Sequence, residues 1–245
     1  MPKIELKGVS KKFEIKKTKT EFFLHPFKKS YKNVLDDINI CIEKPGIYSL
    51  IGPNGSGKTT LLRIISGILY PDVGEVLINN SRFNLNPSKV FLISESERGF
   101  FPRLSLINNL KFFASLIYSN MREINKIITD ILHEFDLEKE KNTRFQELST
   151  GTKQRLAIGR AMLFNPEILL FDEITKGVDI KQQQIIYSLI KRFKDEGKTI
   201  IFATHLIKEV EELSDKVILL NQGKIFGFGN ISEVTKDINR VFEIQ

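Results

Sequence analysis

Cysteine occurs once in the 245 residues of this chain, at Cys41. A single thiol excludes an intramolecular disulfide and suits a reducing compartment. Cys41 sits in the apolar run Ile38 to Ile42 and reads as a small core residue rather than a reactive thiol. Long hydrophobic runs are also missing. None approaches the roughly 18 residues that a membrane span needs, so the chain is expected to be soluble. Met1-Pro2-Lys3-Ile4-Glu5 carries no signal-peptide pattern. No internal repeat and no low-complexity segment is present. Basic residues exceed acidic ones, 37 against 30, for a net charge of +7. That excess could serve nucleic acid or an anionic surface. The aromatic-interleaved basic pattern of RNA-binding modules is lacking, however. A phosphate ligand accounts for the charge equally well, and direct nucleic-acid binding is not expected.

What the chain does have is Gly52-Pro53-Asn54-Gly55-Ser56-Gly57-Lys58-Thr59-Thr60, which fits G-x-x-x-x-G-K-[ST] at every fixed position. Its flanks fit too. Gly46 to Ile51 is a short apolar run that reads as a buried strand. Leu61, Ile64, Ile65 and Ile68 are spaced as on one face of a helix. The glycines let backbone N–H groups turn inward, and the helix N-terminus adds partial positive charge. Lys58 is expected to reach the β- and γ-phosphates of ATP, and the Thr59 hydroxyl to ligate Mg²⁺.

Around this loop the pattern is strand-rich, then helical, then strand-rich again. Residues 2–9 alternate as a half-buried antiparallel strand, and Asp36 to Ile42 alternates likewise. Lys11 to Lys32 reads as an irregular or hairpin-like insertion. Glu75 to Asn79 and Val90 to Ile93 read as strands. Leu106, Leu110, Phe113 and Ile117 form one helical stripe, and Ile124, Ile127, Ile128, Ile131 and Phe135 another. Glu167 to Phe171 and Thr199 to Ala203 are continuous apolar strands around a helix that faces inward with Ile186, Leu189, Ile190 and Phe193. Such alternation predicts a single α/β domain with a mixed sheet and an N-terminal antiparallel β part. Residues 1–99 and 164–245 form the sheet core, and about 100–163 an inserted α-helical subdomain.

Three further groups fall at strand ends or helix starts, where an α/β sheet binds ligands. The strand Ile168 to Phe171 ends in Asp172 and Glu173. Asp172 is placed to hold Mg²⁺, and Glu173 to orient or deprotonate an attacking water. His205 follows the strand Thr199 to Ala203 and is placed to donate to a γ-phosphate oxygen. Read alone, a single histidine is more often structural. Ser149, in Leu148-Ser149-Thr150-Gly151, precedes a helix with Leu156, Gly159 and Leu163 on one face. Alone it is an ordinary N-cap.

Together these residues resemble the ATPase subunit of ATP-binding cassette (ABC) transporters, over nearly the whole chain and in the family's order. Gly52–Thr59 resembles the Walker A loop, and Leu148 to Arg155 the signature, whose commonest form is L-S-G-G-Q. Asp172 and Glu173 resemble the Walker B aspartate and catalytic glutamate. Asp179, in Lys176-Gly177-Val178-Asp179, sits where the D-loop belongs, and His205 where the switch histidine belongs. The resemblance implies catalytic Lys58, Glu173 and His205, and Mg²⁺ ligands Thr59 and Asp172. It implies ATP contacts from residues 52–60, Ser149, Gly151 and Asp179, with an aromatic on adenine. Phe13 is the first choice for that aromatic, and Tyr31 the second because of the insertion.

The departures carry information. Thr150 and Thr152 replace a glycine and the glutamine of the signature, and the L-S-T-G form resembles exporters with separate membrane subunits. The glutamine expected after Val90–Ile93 is absent, with Glu95 or Ser96 in its place. The implied mechanism is two cassettes, of one kind or two, closing head to tail on ATP. An integral membrane permease subunit would convert this into transport, holding the chain at the cytoplasmic face of the membrane. Phe100, Phe101 and Arg103 are expected to border the groove in which that subunit docks. The alternative is a soluble cassette ATPase acting on nucleic acid or ribosomes. Against it, only short helices separate Walker A from the signature, and there is one set of motifs.

Overall fold

Alternation in the first strands places isoleucine, leucine and valine on one face, and that face is where the first sheet packs. In the computed structural model, which describes residues 4–15, 30–82, 89–94 and 99–242, the first elements are β1 (Ile4–Glu14), β2 (Tyr31–Ile42), β3 (Gly46–Ile51), α1 (Lys58–Ile65), β4 (Val73–Ile78) and β5 (Ser81–Arg82). Then come β6 (Val90–Ser94), α2 (Leu106–Ser115), α3 (Met121–Glu134), a short 3₁₀ turn (Phe145–Glu147), α4 (Thr150–Met162), β7 (Ile168–Asp172) and α5 (Ile180–Asp195). The chain continues with β8 (Thr199–Thr204), α6 (Ile207–Leu213), β9 (Lys216–Asn221), β10 (Lys224–Gly229) and α7 (Ile231–Phe242). Residue contacts divide it into two units, Met1–Leu85 with Ile201–Gln245, and Asn86–Ile200. The division falls inside β8.

In the first unit, β2, β1, β4 and β5 form an antiparallel sheet in that order. Ile4, Leu6 and Val9 are buried opposite Ile42, Ile40 and Ile38. A bulge between Leu6 and Val9 inserts one residue and so keeps Val9 on the buried face. Cys41 departs from its expectation. Ile40 and Ile42 take the inward positions, so Cys41 falls on the opposite face and is only half-buried, with Glu43 Oε1 3.8 Å from its Sγ. A second sheet runs β10-β9-β3-β8, with β3 parallel to β9 and β10 antiparallel to it. Every residue of β3 is buried, as a strand covered on both faces requires. Val234, Ile238 and Val241 of α7 pack on Ile51, Val217 and Leu219.

The second unit pairs β6 with β7 in parallel, Val90 to Ser94 against Ile168 to Asp172. The helices bury their predicted stripes: Leu106 and Leu110 on α2, Ile124, Ile128 and Ile131 on α3, Ile186, Leu189, Ile190 and Phe193 on α5. Arg155 of α4 is buried where α3 ends. It donates to Phe135 O at 3.0 Å and Asp136 O at 2.7 Å, satisfying carbonyls that the helix leaves unpaired.

Two expectations give way here. Helix α1 stops at Ile65, because Gly67 takes a left-handed φ of 74°, and Ile68 is left 61% exposed. Ile117 likewise lies beyond the end of α2 and is exposed. The strands β1 and β2 run on to Glu14 and back from Tyr31 as an antiparallel pair, so the described ends of the expected insertion take its hairpin-like form; residues 16–29 lie outside the described residues. The sequence patterns above assign the residues after His205 to the sheet core without naming elements there; the structure adds α6, β9, β10 and α7.

Candidate functional site

The phosphate loop leaves the buried strand β3 and enters α1 through Gly57, whose φ of 109° only glycine adopts without strain. Gly52 has no room for a side chain, since a Cβ there would lie 2.0 Å from Leu220 O. The Ser56 N–H donates to Pro53 O at 3.2 Å, and Ser56 O accepts from the Gly223 N–H at 3.0 Å. Lys58 is buried, and its ammonium donates to Gly52 O at 2.7 Å and Pro53 O at 3.2 Å. The Ser56 Oγ is buried and finds no hydrogen-bond partner. A buried orphan hydroxyl, a lysine folded over the loop and a helix start that no side chain caps together suit a polyphosphate. Thr59 and Thr60 are the next two residues of α1, both half-buried.

The same unit holds His205, in the turn after β8, the strand beside β3. That turn is set by Thr204. Its hydroxyl donates to the buried carboxylate of Glu209 and accepts the Leu206 N–H at 3.0 Å. Nothing in the sequence reading pointed to Glu209, although it lies one helical turn after the histidine. Phe13 and Tyr31 are both exposed at the open end of the β1–β2 ribbon. Phe13 pairs with Lys32 and Tyr31 with Glu14, so the two rings project from opposite faces and only one can serve a given ligand. Phe13 is the better anchored. Lys11 stacks its ammonium 5.6 Å from the ring centre and bonds Asp72 at 2.8 Å. That bond and the Lys12 N–H hold the Asp72 carboxyl below the usual carboxylate range.

In the second unit, Asp172 is the buried last residue of β7. Glu173 follows at φ 52°, a left-handed conformation rare for a residue with a side chain. Its backbone oxygen accepts the Lys176 N–H at 3.2 Å, and its carboxylate lies 3.7 Å from Lys176 Nζ. The segment then turns into α5, which Asp179 caps by accepting the Gln182 N–H at 3.1 Å. The Gln183 amide ties the turn down, donating to Thr175 O at 3.3 Å and Val178 O at 2.9 Å.

The start of α4 meets the start of α5. Gly151 is buried against Gln182, where a Cβ would stand 2.8 Å from Gln182 Cγ. The signature segment and Asp179 are thus brought together. Ser149 is exposed and caps α4, accepting the Thr152 N–H at 3.2 Å. Gln182 and Gln183 escape sequence reading, because nothing in a run of glutamines marks which amide will pack on a glycine.

The loop entering the helices splits the expected aromatic pair. Phe100 is only 8% exposed, so it does not border a surface groove. It stacks on Phe145 at 4.7 Å and lies under the Arg160 guanidinium at 4.2 Å. Arg160 also faces Phe113 at 5.0 Å and donates to Gly99 O at 3.3 Å, and burial pushes its pKa down to about 10. Phe101 is 42% exposed and packs edge-on against Phe112, also exposed, at 4.7 Å. Glu95 and Ser96 lie outside the described residues.

A glycine loop cradled between a buried strand and a helix start defines a nucleotide-binding protein of the phosphate-loop α/β class. Comparison with known proteins narrows this. The ABC transporter family model matches residues 35–176. The chain is 34% identical over 224 residues to the ABC transporter ATP-binding protein NatA of Bacillus subtilis, covering 88% of this chain and 91% of that one. It is also 34% identical over 205 residues to an uncharacterized ABC transporter ATP-binding protein of Methanocaldococcus jannaschii, 84% of this chain and 75% of the relative. Among solved structures, an ATP-binding cassette captured as a post-hydrolysis dimer with ADP and Pi superposes with a TM-score of 0.78, at 27% identity over 93% of this chain and 98% of that one. The chain belongs to the ABC transporter family, as an ATP-binding cassette that hydrolyses ATP.

Proposed function

We propose that this cassette works as half of a head-to-tail pair that hydrolyses Mg²⁺-ATP and drives export through a separate membrane permease. In this reading residues 52–60 hold the phosphates, with Lys58 on the β- and γ-phosphates, and Phe13 or Tyr31 stacks on adenine. Thr59 and Asp172 hold Mg²⁺, Glu173 readies the attacking water, and His205 donates to the γ-phosphate. Ser149, Gly151 and Asp179 serve the nucleotide bound by the partner cassette. Residues 100–163 act as the helical subdomain, and 1–99 with 164–245 as the core.

The observation that carries this is the contrast between the phosphate loop and the start of α4. The phosphate loop is closed on itself with an orphan hydroxyl inside, while the Ser149 hydroxyl stands exposed at a helix start. Among the described residues no cluster of three or more His, Cys, Asp or Glu side chains offers a metal cage. That suits Mg²⁺, which is commonly held by one or two side chains together with phosphate oxygens and water. Among the described residues no helix is long and apolar enough to cross a membrane. Attachment at the cytoplasmic face through the permease follows from the family's way of working, and the Ser149-Thr150-Gly151 signature supports export.

The test is the dependence of phosphate release on protein concentration. A shared site predicts a more than linear rise before dimerisation saturates, and strict proportionality from the most dilute sample upward would refute it. The permease contact is tested at Phe101. Exposed aromatics with a packed neighbour are the usual anchors of interfaces. Phe101→Ala is expected to leave ATP binding unchanged and weaken permease attachment by about 2 kcal/mol. Full copurification of a folded Phe101→Ala chain would place the contact elsewhere.

A further inference from the structure

Thr152 is the third residue of α4 and is buried, and its hydroxyl lies 2.9 Å from Ser149 Oγ. Ser149 Oγ already accepts the Thr152 N–H at 3.2 Å. Either hydroxyl can donate across the 2.9 Å contact, and the choice decides what Ser149 offers to a ligand. If Ser149 donates to Thr152, its only proton is spent inside the helix end. If Thr152 donates, Ser149 Oγ accepts twice from the same residue and its own proton points outward. Helices that open with serine often carry glutamate or glutamine at the third position, whose side chain returns to the cap's backbone N–H. Threonine is too short for that and settles on the cap's hydroxyl instead.

We propose that Thr152 is a positioning residue: by donating to Ser149 Oγ it turns the exposed Ser149 hydroxyl into an outward donor for the terminal phosphate of ATP held by the partner cassette. Thr152 touches no ligand and acts through Ser149. An anion favours this arrangement over the reverse, because a hydrogen bond to a charged acceptor is about twice as strong as a neutral one. Two O–H bonds in series also polarise one another. The inference rests on the shared-site reading above, in which Ser149 serves the partner's nucleotide.

Steady-state phosphate release against ATP concentration tests it with Thr152→Val, Thr152→Ala, Thr152→Ser, Ser149→Ala and the double variant Ser149→Ala/Thr152→Val. Valine keeps the branched shape and removes only the hydroxyl. Thr152→Val is expected to lower kcat/KM about five- to tenfold, the size of one net hydrogen bond. Thr152→Ala, should the valine chain fold poorly, is expected to show a loss of the same order. Thr152→Ser is expected to stay within about twofold of wild type, since it keeps the donor. In the Ser149→Ala background, adding Thr152→Val is expected to change nothing further. A merely structural role would repeat its loss there. Wild-type kinetics for both Thr152→Val and Thr152→Ala, or a loss repeated in full on Ser149→Ala, overturns the proposal. Undiminished turnover by Ser149→Ala itself overturns the shared-site reading, and this arm is read separately from the Thr152 arms.

Discussion

Glu173→Gln is expected to bind ATP like the wild type and release phosphate at least ~10²-fold more slowly, the size of losing a positioned base. The substitution keeps shape and volume and changes only whether the group can take a proton from water. The surroundings favour a clean result. The Glu173 backbone is fixed by the Lys176 N–H, and the following turn is tied down by the Gln183 amide, so glutamine has a preformed place to occupy. In the proposed cycle, hydrolysis is the step that lets a closed pair reopen. The variant is therefore also expected to accumulate as a dimer in ATP, visible by size-exclusion chromatography. Phosphate release at the wild-type rate would remove Glu173 from this role.

The second large effect comes from mixing two dead proteins. Lys58→Ala loses the ammonium proposed to hold the phosphates, and Ser149→Arg fills the exposed start of α4 with a bulky cation. Each alone is expected to be inactive while folded, because every homodimer then has two faulty sites. In a mixed dimer one site combines both faults and the other has neither. Random pairing makes about half of the dimers mixed, so turnover should return to about a quarter of wild type if a single sound site suffices. If the two sites must fire together, recovery is smaller. No recovery at all, with mixed dimers demonstrated, would rule against a site shared between chains.

The sequence was legible where chemistry and periodicity coincide. β3, the glycine loop and α1 follow from a motif whose residues have one physical purpose each, and the helices α3 and α5 follow from stripes that the core needs. Legibility failed where a fold decision depends on partners distant in sequence. Cys41 looks apolar by its neighbours, yet a strand must turn every second residue outward. Phe100 and Phe101 are adjacent and alike, and it is partners distant in sequence, the Phe145 ring and the Arg160 guanidinium, that enclose the first. Glu209, Gln182 and Gln183 are ordinary helix residues until the turn or glycine they support is seen. Sequence ranks Phe13 ahead of Tyr31 as the aromatic for adenine, and only the register of β1 on β2 shows that the two rings lie on opposite faces.

The left-handed backbone at Glu173 sets a trap for anyone hardening this protein in the laboratory. A side chain in that conformation is disfavoured by on the order of 1 kcal/mol, and glycine would relieve it. Glycine would also delete the carboxylate. With Glu173 in its proposed role, a library sorted by survival of heat would thus enrich chains that have discarded their chemistry, at the position that a sort by phosphate release would guard most closely. Heat resistance and turnover pull in opposite directions at this one residue. Any thermal selection on this cassette needs position 173 held constant from the start.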